Sequence, residues 1–148
     1  MKTSFFKRTI VFMLAVMLIL PTFSSCTRKI TLDDAKYTMG KLFSAMGSGD
    51  YSSAVKLMYN PTEISTSRFA SFLAEVEEKT GGRFSDGITN VRYNDYEELG
   101  YNAPGGSKFR VEGTMNIGSR TNVPFIISLI KSTEGYGINV FDIAGVAL

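Results

Sequence analysis

The stretch KFRVEGTMNI, from Lys108 to Ile117, decides the fold class of this chain. Four apolar side chains, those of Phe109, Val111, Met115 and Ile117, alternate along it with polar ones. A period of two predicts a β-strand with one face in the core and one face in water. A helix would repeat its apolar residues every three or four positions, so this part of the chain belongs to a sheet.

Neighbouring segments extend the sheet on both sides. From Val123 to Lys131, apolar side chains occupy both faces, which predicts a central strand that is covered on both sides. Tyr136 to Ile143 is predicted to be the last strand, with Ile138 and Val140 facing inward. A short strand from Ile88 to Tyr93 is predicted to come first.

The residues before the sheet have the apolar period of helices. Thr31 and Asp34 have the spacing of a capping box, which predicts a first helix that ends at the glycines of residues 47–49. A second helix is predicted from Asp50 to about Tyr59, and a third from about Ser67 to Lys79. The fold class is therefore α+β, with three N-terminal helices packed on one face of a curved, mainly antiparallel sheet of about four strands.

The N-terminus, MKTSFFKRTIVFMLAVMLILPTFSSC, has the organisation of an export leader. Its apolar run from Ile10 to Leu20 is shorter than the roughly 20 residues that span a bilayer. Cys26, the only cysteine, follows the small residues Ser24 and Ser25. This leader resembles those of bacterial lipoproteins, in which the cysteine thiol receives lipid, although that class usually has leucine where this chain has Phe23. The alternative is a plain secretory leader cut near Ser24 or Ser25.

The lipoprotein resemblance implies three segments: a signal peptide at residues 1–25, a lipid-anchored linker at residues 26–30, and one domain at residues 31–148. It implies membrane lipid on Cys26 as a partner. In one group of bacterial lipoproteins, acidic residues after the cysteine are associated with export to the cell surface, whereas TRKI follows here. We therefore expect the protein to lie in the bacterial cell envelope, anchored in the outer membrane and facing the periplasm.

Composition excludes several classes of function. The chain has no histidine and one cysteine, so Ser-His-Asp sites, Cys-His sites and an internal disulfide are impossible. Of the 16 basic residues, Lys2, Lys7 and Arg8 lie in the leader, so the body is close to neutral against 14 acidic residues. We expect no nucleic-acid binding. We also expect no metal and no cofactor, because the sequence has no metal-ligand cluster, GxGxxG or P-loop.

The remainder of the chain also resembles a known superfamily. AKYTMGKLFSAMGSGDYSSAVKLM, the helix FASFLAEVEEKTGG and the hairpin LIKSTEGYGINVFDI resemble small bacterial members of the nuclear transport factor 2-like superfamily, over roughly Thr31 to Ile143. The resemblance implies a cone in which a curved sheet wraps the helices and leaves a cavity at its wide end. Members range from ketosteroid isomerase-like enzymes to ligand-binding and structural modules, so the fold does not choose a function.

One carboxylate is a candidate catalytic or ligand-binding group. Asp142 continues the predicted inward face of Ile138 and Val140, near the cavity that the resemblance implies. A carboxylate buried there would act as a base if its pKa were raised. The alternative is that the strand has ended or bulged by Asp142, which leaves the carboxylate in water.

A tyrosine-rich segment is a second candidate site. VRYNDYEELGYNAPGG places Tyr93, Tyr96 and Tyr101 in a predicted loop between two strands. Tyrosine offers a large contact area with few rotors, which is typical of recognition loops for a ligand or partner. The alternative is an ordinary hairpin whose tyrosines cover the edge of the sheet.

Two further patterns concern the core and the outer face. Met39, Met46 and Met58 either line an adaptable cavity or fill the core. Ile126 and Ile130 lie opposite the main apolar row of their strand, which predicts that the outer face of the sheet is covered. Because relatives in the superfamily pair through that surface, we predict a homodimer.

Taken together, these patterns predict a membrane-anchored envelope lipoprotein whose domain is a non-enzymatic binding module for a small apolar ligand or an envelope partner. One alternative is a small-molecule isomerase, dehydratase or hydrolase that uses a carboxylate inside the cone. Another is a structural protein-interaction module that uses the loop from Tyr93 to Tyr101. A cavity would favour the binding module or the enzyme over the structural module. A buried carboxylate with a perturbed pKa would favour the enzyme over the binding module.

Overall fold

A computed structural model describes residues 29–100, 102–103 and 106–148. The helices are α1 (Leu32–Ser48), α2 (Tyr51–Val55) and α3 (Thr66–Thr80), followed by a 3-10 turn at Phe84–Asp86. The strands are β1 (Ile88–Leu99), β2 (Ser107–Ile117), β3 (Arg120–Ser132), β4 (Gly135–Ile143) and β5 (Val146–Ala147). The signal peptide at residues 1–25, Cys26 and Tyr101 lie outside the described residues.

The strands form one sheet in the order β1-β2-β3-β4-β5, and each strand is antiparallel to the next. The predicted α+β class, with three helices before an antiparallel sheet, is confirmed. The sheet has five strands rather than about four, because the two-residue strand β5 is too short to show a period in sequence. Among the described helices, none combines the length and apolar content that a bilayer-spanning helix needs.

Helix α1 begins at the predicted capping box. The N–H of Asp34 donates to Thr31 Oγ1 at 3.2 Å, and the Thr31 N–H donates to the Asp34 carboxylate at 2.9 Å. The helix ends at Gly49, whose φ of 71° is the left-handed conformation that glycine adopts without strain. These local signals fix both ends of α1, so its position is set by the sequence itself.

Helix α2 is shorter than the sequence predicts. The pattern predicts a helix to about Tyr59, whereas α2 ends at Val55. The following backbone pairs with β4 instead: the Tyr59 N–H donates to the Ile138 carbonyl at 2.8 Å, and the Ile138 N–H donates to the Leu57 carbonyl at 2.9 Å. Gly137 permits this approach, because a Cβ there would lie 2.7 Å from two backbone atoms of the segment. Long-range hydrogen bonds therefore replace the helical ones.

Strand β1 is longer than predicted. The sequence predicts a strand that ends at Tyr93 and then a loop, but β1 continues to Leu99, with register shifts after Thr89 and after Tyr93. The loop prediction is wrong because β1 lies at the edge of the sheet and is largely exposed. An exposed edge strand carries polar residues on both faces, so its sequence lacks the alternation that reveals the other strands.

The hydrophobic core lies between the helices and one face of the sheet, and its members run from Ile30 to Val146. Phe125 is at its centre, with Phe43 packed edge-on at 5.6 Å and Tyr93 at 6.4 Å between ring centroids. Ile30, which the sequence assigns to the linker, is 4% exposed, and its N–H donates to Ser107 Oγ. Ile30 therefore belongs to the hydrophobic core.

A register shift in β4 reverses the faces that the sequence predicts. Leu129 pairs with Ile138 but Ser128 pairs with Val140, so one residue of β4 bulges out of the pairing. Ile138 therefore faces the core as predicted, whereas Val140 is 37% exposed on the outer face. The predicted inward position of Val140 is wrong, because strict alternation fails across the bulge.

Candidate functional site

A cavity of about 480 Å³ opens between α1, the end of α2 and the β3–β4 hairpin. We call it the lysine cavity, because Lys29, Lys41, Lys56 and Lys131 line it together with Asp34. The lysines come from four separate segments: the residue before Ile30, helix α1, the residue after α2, and β3. The fold thus gathers positive charge at this end of the domain.

A chain of hydrogen bonds crosses one wall of the lysine cavity. The Thr38 hydroxyl donates to the Asp34 carbonyl at 3.0 Å and lies 3.1 Å from the Tyr136 hydroxyl. Either hydroxyl can be the donor in this second bond. The bond between Thr38 and Tyr136 therefore joins α1 to β4 at this wall of the cavity.

The Tyr136 phenol is held in its neutral form. Burial raises the pKa of Tyr136, the hydrogen bond with Thr38 opposes that rise, and the Asp34 carboxylate adds to it. Deprotonation would place a second negative charge near Asp34. The wall therefore presents a neutral hydroxyl among lysines at physiological pH.

Apolar and aromatic groups complete the lining. Ile30 and Leu57 line the lysine cavity with the ring of Tyr37. Tyr37 is 67% exposed, and Lys41 Nζ lies 4.4 Å from its ring centroid, within the range of a cation–π contact. The cavity therefore offers ammonium groups beside apolar surface, which suits a ligand with an anionic group and an apolar part.

A second cavity, of about 570 Å³, lies against α1 and the start of α2. Tyr37 and Lys41 line both cavities and stand between them. We call the second one the helix cavity; it adds Lys36 and Asp50 to the charged lining. The two cavities together carry five lysines and two aspartates, whereas the body of the chain is close to neutral. Positive charge is therefore concentrated on this side of the domain.

Asp142 lies away from these cavities. It shares the outer face of the sheet with Val140 and pairs with Ile126. Its carboxylate accepts the Gly145 N–H at 2.8 Å, and it lines a groove of about 260 Å³ on the outer face. We call this the outer groove; its lining is Leu99, Lys108, Arg110, Ile126, Ser128, Val140 and Asp142. The predicted position of Asp142 near an inner cavity is wrong, because the bulge in β4 turns it outward.

The tyrosines of the predicted loop lie in strand β1. Tyr93 packs on Phe125, and Lys36 Nζ lies 5.3 Å from the Tyr93 ring centroid; burial raises the pKa of Tyr93. Tyr96 is 59% exposed and stacks on Phe109 at 6.1 Å. Neither tyrosine lines the lysine cavity. A binding role for Tyr93, Tyr96 or Tyr101 stays a prediction.

The helix methionines belong to the core. Met39, Met46 and Met58 are all nearly inaccessible to solvent and are members of the hydrophobic cluster. Their packing agrees with the reading in which they fill the core. Within the described ranges, no group of three or more metal-ligating side chains comes together.

Sequence reasoning missed the lysine cavity. Tyr37 and Lys41 are four residues apart on α1 and therefore share one helix face, which is a readable local signal. Lys29, Lys56 and Lys131 carry no such signal, because only the tertiary fold brings them to the same cavity.

No protein-family profile matches this chain, and no curated protein is significantly similar to it. The functional conclusion therefore depends on the cavities and on the residues that line them.

Proposed function

We propose that this protein is a lipid-anchored lipoprotein of the bacterial envelope that acts as a non-enzymatic binding module. Its ligand site is the lysine cavity, and its ligand is a small molecule with an anionic group beside an apolar part. The observation that supports this most directly is the convergence of four lysines with Ile30 and Leu57 around one cavity.

The chemistry of the lining favours an anionic ligand. Lysine ammonium groups are donors only, so each gains most from a carboxylate or phosphate oxygen. The Tyr136 hydroxyl, which also lines the cavity, adds a polar group that can hydrogen-bond to a hydroxyl or amine of the ligand. Our sequence-based expectation of a small apolar ligand is therefore refined to an amphipathic one.

We also propose that the domain is a nuclear transport factor 2-like cone. The order of three helices and then an antiparallel sheet supports this assignment. So does a cavity between the first helix and the last long hairpin. In this proposal the lysine cavity corresponds to the opening at the wide end of the cone.

The positions of the carboxylates favour binding over catalysis. Asp34, the carboxylate that lines the lysine cavity, accepts the N–H and hydroxyl of Thr31 and so caps α1. Asp142 is on the outer face of the sheet. A general base must reach the proton that it removes. Either carboxylate would have to give up a hydrogen bond that it makes to its own chain in order to do so.

Ligand binding is tested by native mass spectrometry of residues 27–148 in lipid-free buffer. The probes are laurate and dodecanol, which share a twelve-carbon chain and differ in charge. We expect laurate to be retained and dodecanol to be lost. Lys131→Gln and Lys56→Gln should each weaken laurate binding, and Lys79→Gln, whose side chain bonds to Gly145 outside both cavities, should not. Equal retention of both probes would contradict the proposal.

The anchor is tested separately. Cys26 lies outside the described residues, but Lys29 and Ile30, which follow it closely, are part of the folded domain. Cys26→Ser should move the protein from the membrane fraction to the soluble fraction of the envelope, since one thioether-linked lipid contributes about 0.8 kcal/mol per buried methylene. Retention of the Cys26→Ser protein in the membrane fraction would show that the anchor is something else.

We propose that the outer groove is covered by a second copy of the chain. Ile126 and the exposed Val140 make part of the groove apolar. Lys108 and Asp142 give the groove charges of opposite sign. In a dimer with a two-fold axis, the same surface of both copies forms the interface, and the two surfaces run in opposite directions. The Lys108 end of one copy can therefore face the Asp142 end of the other. The homodimer predicted from the sequence is thus assigned to this surface.

A further inference from the structure

We infer that the side of the domain that holds the lysine cavity and the helix cavity docks on an anionic lipid surface. This inference rests on the proposed lipid anchor at Cys26. It goes beyond the anchor, because it names the face that meets the bilayer and the lipid chemistry that this face recognises.

The tether between the anchor and this face is short. Lys29 lines the lysine cavity and follows Cys26 by three residues, which span at most about 11 Å when fully extended. Ile30 cannot add length, because it is buried and its N–H is bonded to Ser107 at 3.1 Å. A lipid on Cys26 therefore holds the lysine cavity next to the headgroups.

The lysines on this face are positively charged, as binding to anionic lipid requires, and they are accessible to solvent. Lys36, Lys41 and Lys56 are exposed, and the Lys29 side chain is 72% exposed even though it pairs with Glu98. By contrast, Arg110 of the outer groove pairs with Glu112, and Lys108 shares the groove with Asp142, so the opposite charges on that face are balanced. Anionic headgroups attract basic residues that lie within about 10 Å at moderate salt.

An aromatic side chain stands at the centre of the face. Tyr37 is exposed between the two cavities, with Lys41 over its ring. Tyrosine is enriched at membrane–water interfaces, where its ring meets the apolar boundary and its hydroxyl stays in water. Since the tether makes the encounter intramolecular, weak attractions of this kind are enough to orient the domain.

The inference is tested with unlipidated residues 27–148, the segment that contains the whole described core, so that any membrane binding comes from the domain itself. Binding is measured by co-sedimentation with vesicles of phosphatidylcholine alone and of an equal mixture with phosphatidylglycerol. The test variant is Lys36→Gln, Lys41→Gln and Lys56→Gln together. The control variant removes the same charge from outside both cavities, as Arg68→Gln, Arg92→Gln and Arg120→Gln together. Thermal unfolding of both variants confirms that they are folded.

We expect binding to the mixed vesicles only, and a loss on raising the salt concentration. The lysine variant should bind roughly 100-fold more weakly, since each lysine near an anionic surface contributes about fivefold. The control variant should bind nearly as well as the wild type. Equal binding to both kinds of vesicle, or equal losses in the two variants, would overturn the inference. The lipid-free laurate experiment is independent of this result, so either proposal can fail alone.

Discussion

Replacing Gly137 with alanine is expected to loosen the segment that carries Leu57 into the lysine cavity. A Cβ at this position would lie 2.7 Å from the Met58 carbonyl carbon and 2.7 Å from the Tyr59 nitrogen. Carbon atoms pack at about 3.5 to 4.0 Å, so the segment must retreat by about 1 Å. That shift stretches the two hydrogen bonds at 2.8 and 2.9 Å between this segment and Ile138 beyond useful length.

The cost follows from those contacts. Two backbone hydrogen bonds contribute about 1 kcal/mol each, and the remaining strain adds about 1 kcal/mol, so Gly137→Ala should lower the free energy of unfolding by about 3 kcal/mol. The midpoint of thermal unfolding should fall by about 10 °C for a domain of this size. Laurate binding should weaken as well, because Leu57 lines the lysine cavity.

A matched control lies two residues away on the same strand. A Cβ at Gly135 would meet Tyr59 Cε2 at 3.9 Å, an ordinary contact, so Gly135→Ala should change the stability by less than about 0.5 kcal/mol. Both variants of residues 27–148 are followed by circular dichroism during heating and urea titration. If the two variants unfold at the same temperature and urea concentration, the pairing with β4 does not hold the segment from Leu57 to Tyr59 in place.

Two further predictions concern acid stability and self-association. Hydrogen bonds from Ser53 lower the pKa of Asp50 from its unfolded value of 3.8, so the stabilisation is complete above that value and is lost as the pH falls through the folded pKa. Asp50→Asn should therefore flatten the acid side of the curve of melting temperature against pH, and an unchanged curve would contradict this. Ile126→Arg should convert a dimer to a monomer in sedimentation equilibrium, because it places a charge in the outer groove; a monomeric wild type would refute the dimer.

Local signals in the sequence predict much of this fold. The capping box of Thr31 and Asp34 sets the start of α1, and the alternation from Phe109 to Ile117 identifies β2. Both depend on neighbours in sequence, so no knowledge of the tertiary structure is needed.

The errors occur where tertiary contacts override local patterns. The bulge in β4 places Val140 and Asp142 on the outer face, and no residue type in that segment marks a bulge. Polar residues after Tyr93 read as a loop because an edge strand needs no apolar face. The lysine cavity was missed for a related reason, since Lys29 and Lys131 meet only after the sheet has packed on α1.

The pairing of Leu57 with β4 also sets an order of assembly. Neighbouring strands are joined directly along the chain, so the pairings between them are local in sequence. The segment from Leu57 to Tyr59 differs, because its partner Ile138 lies near the end of the chain. During synthesis, this segment has no partner until β4 has been made. A chain truncated before β4 would lack both Tyr136 and the partner of Leu57, so it could not form the lysine cavity.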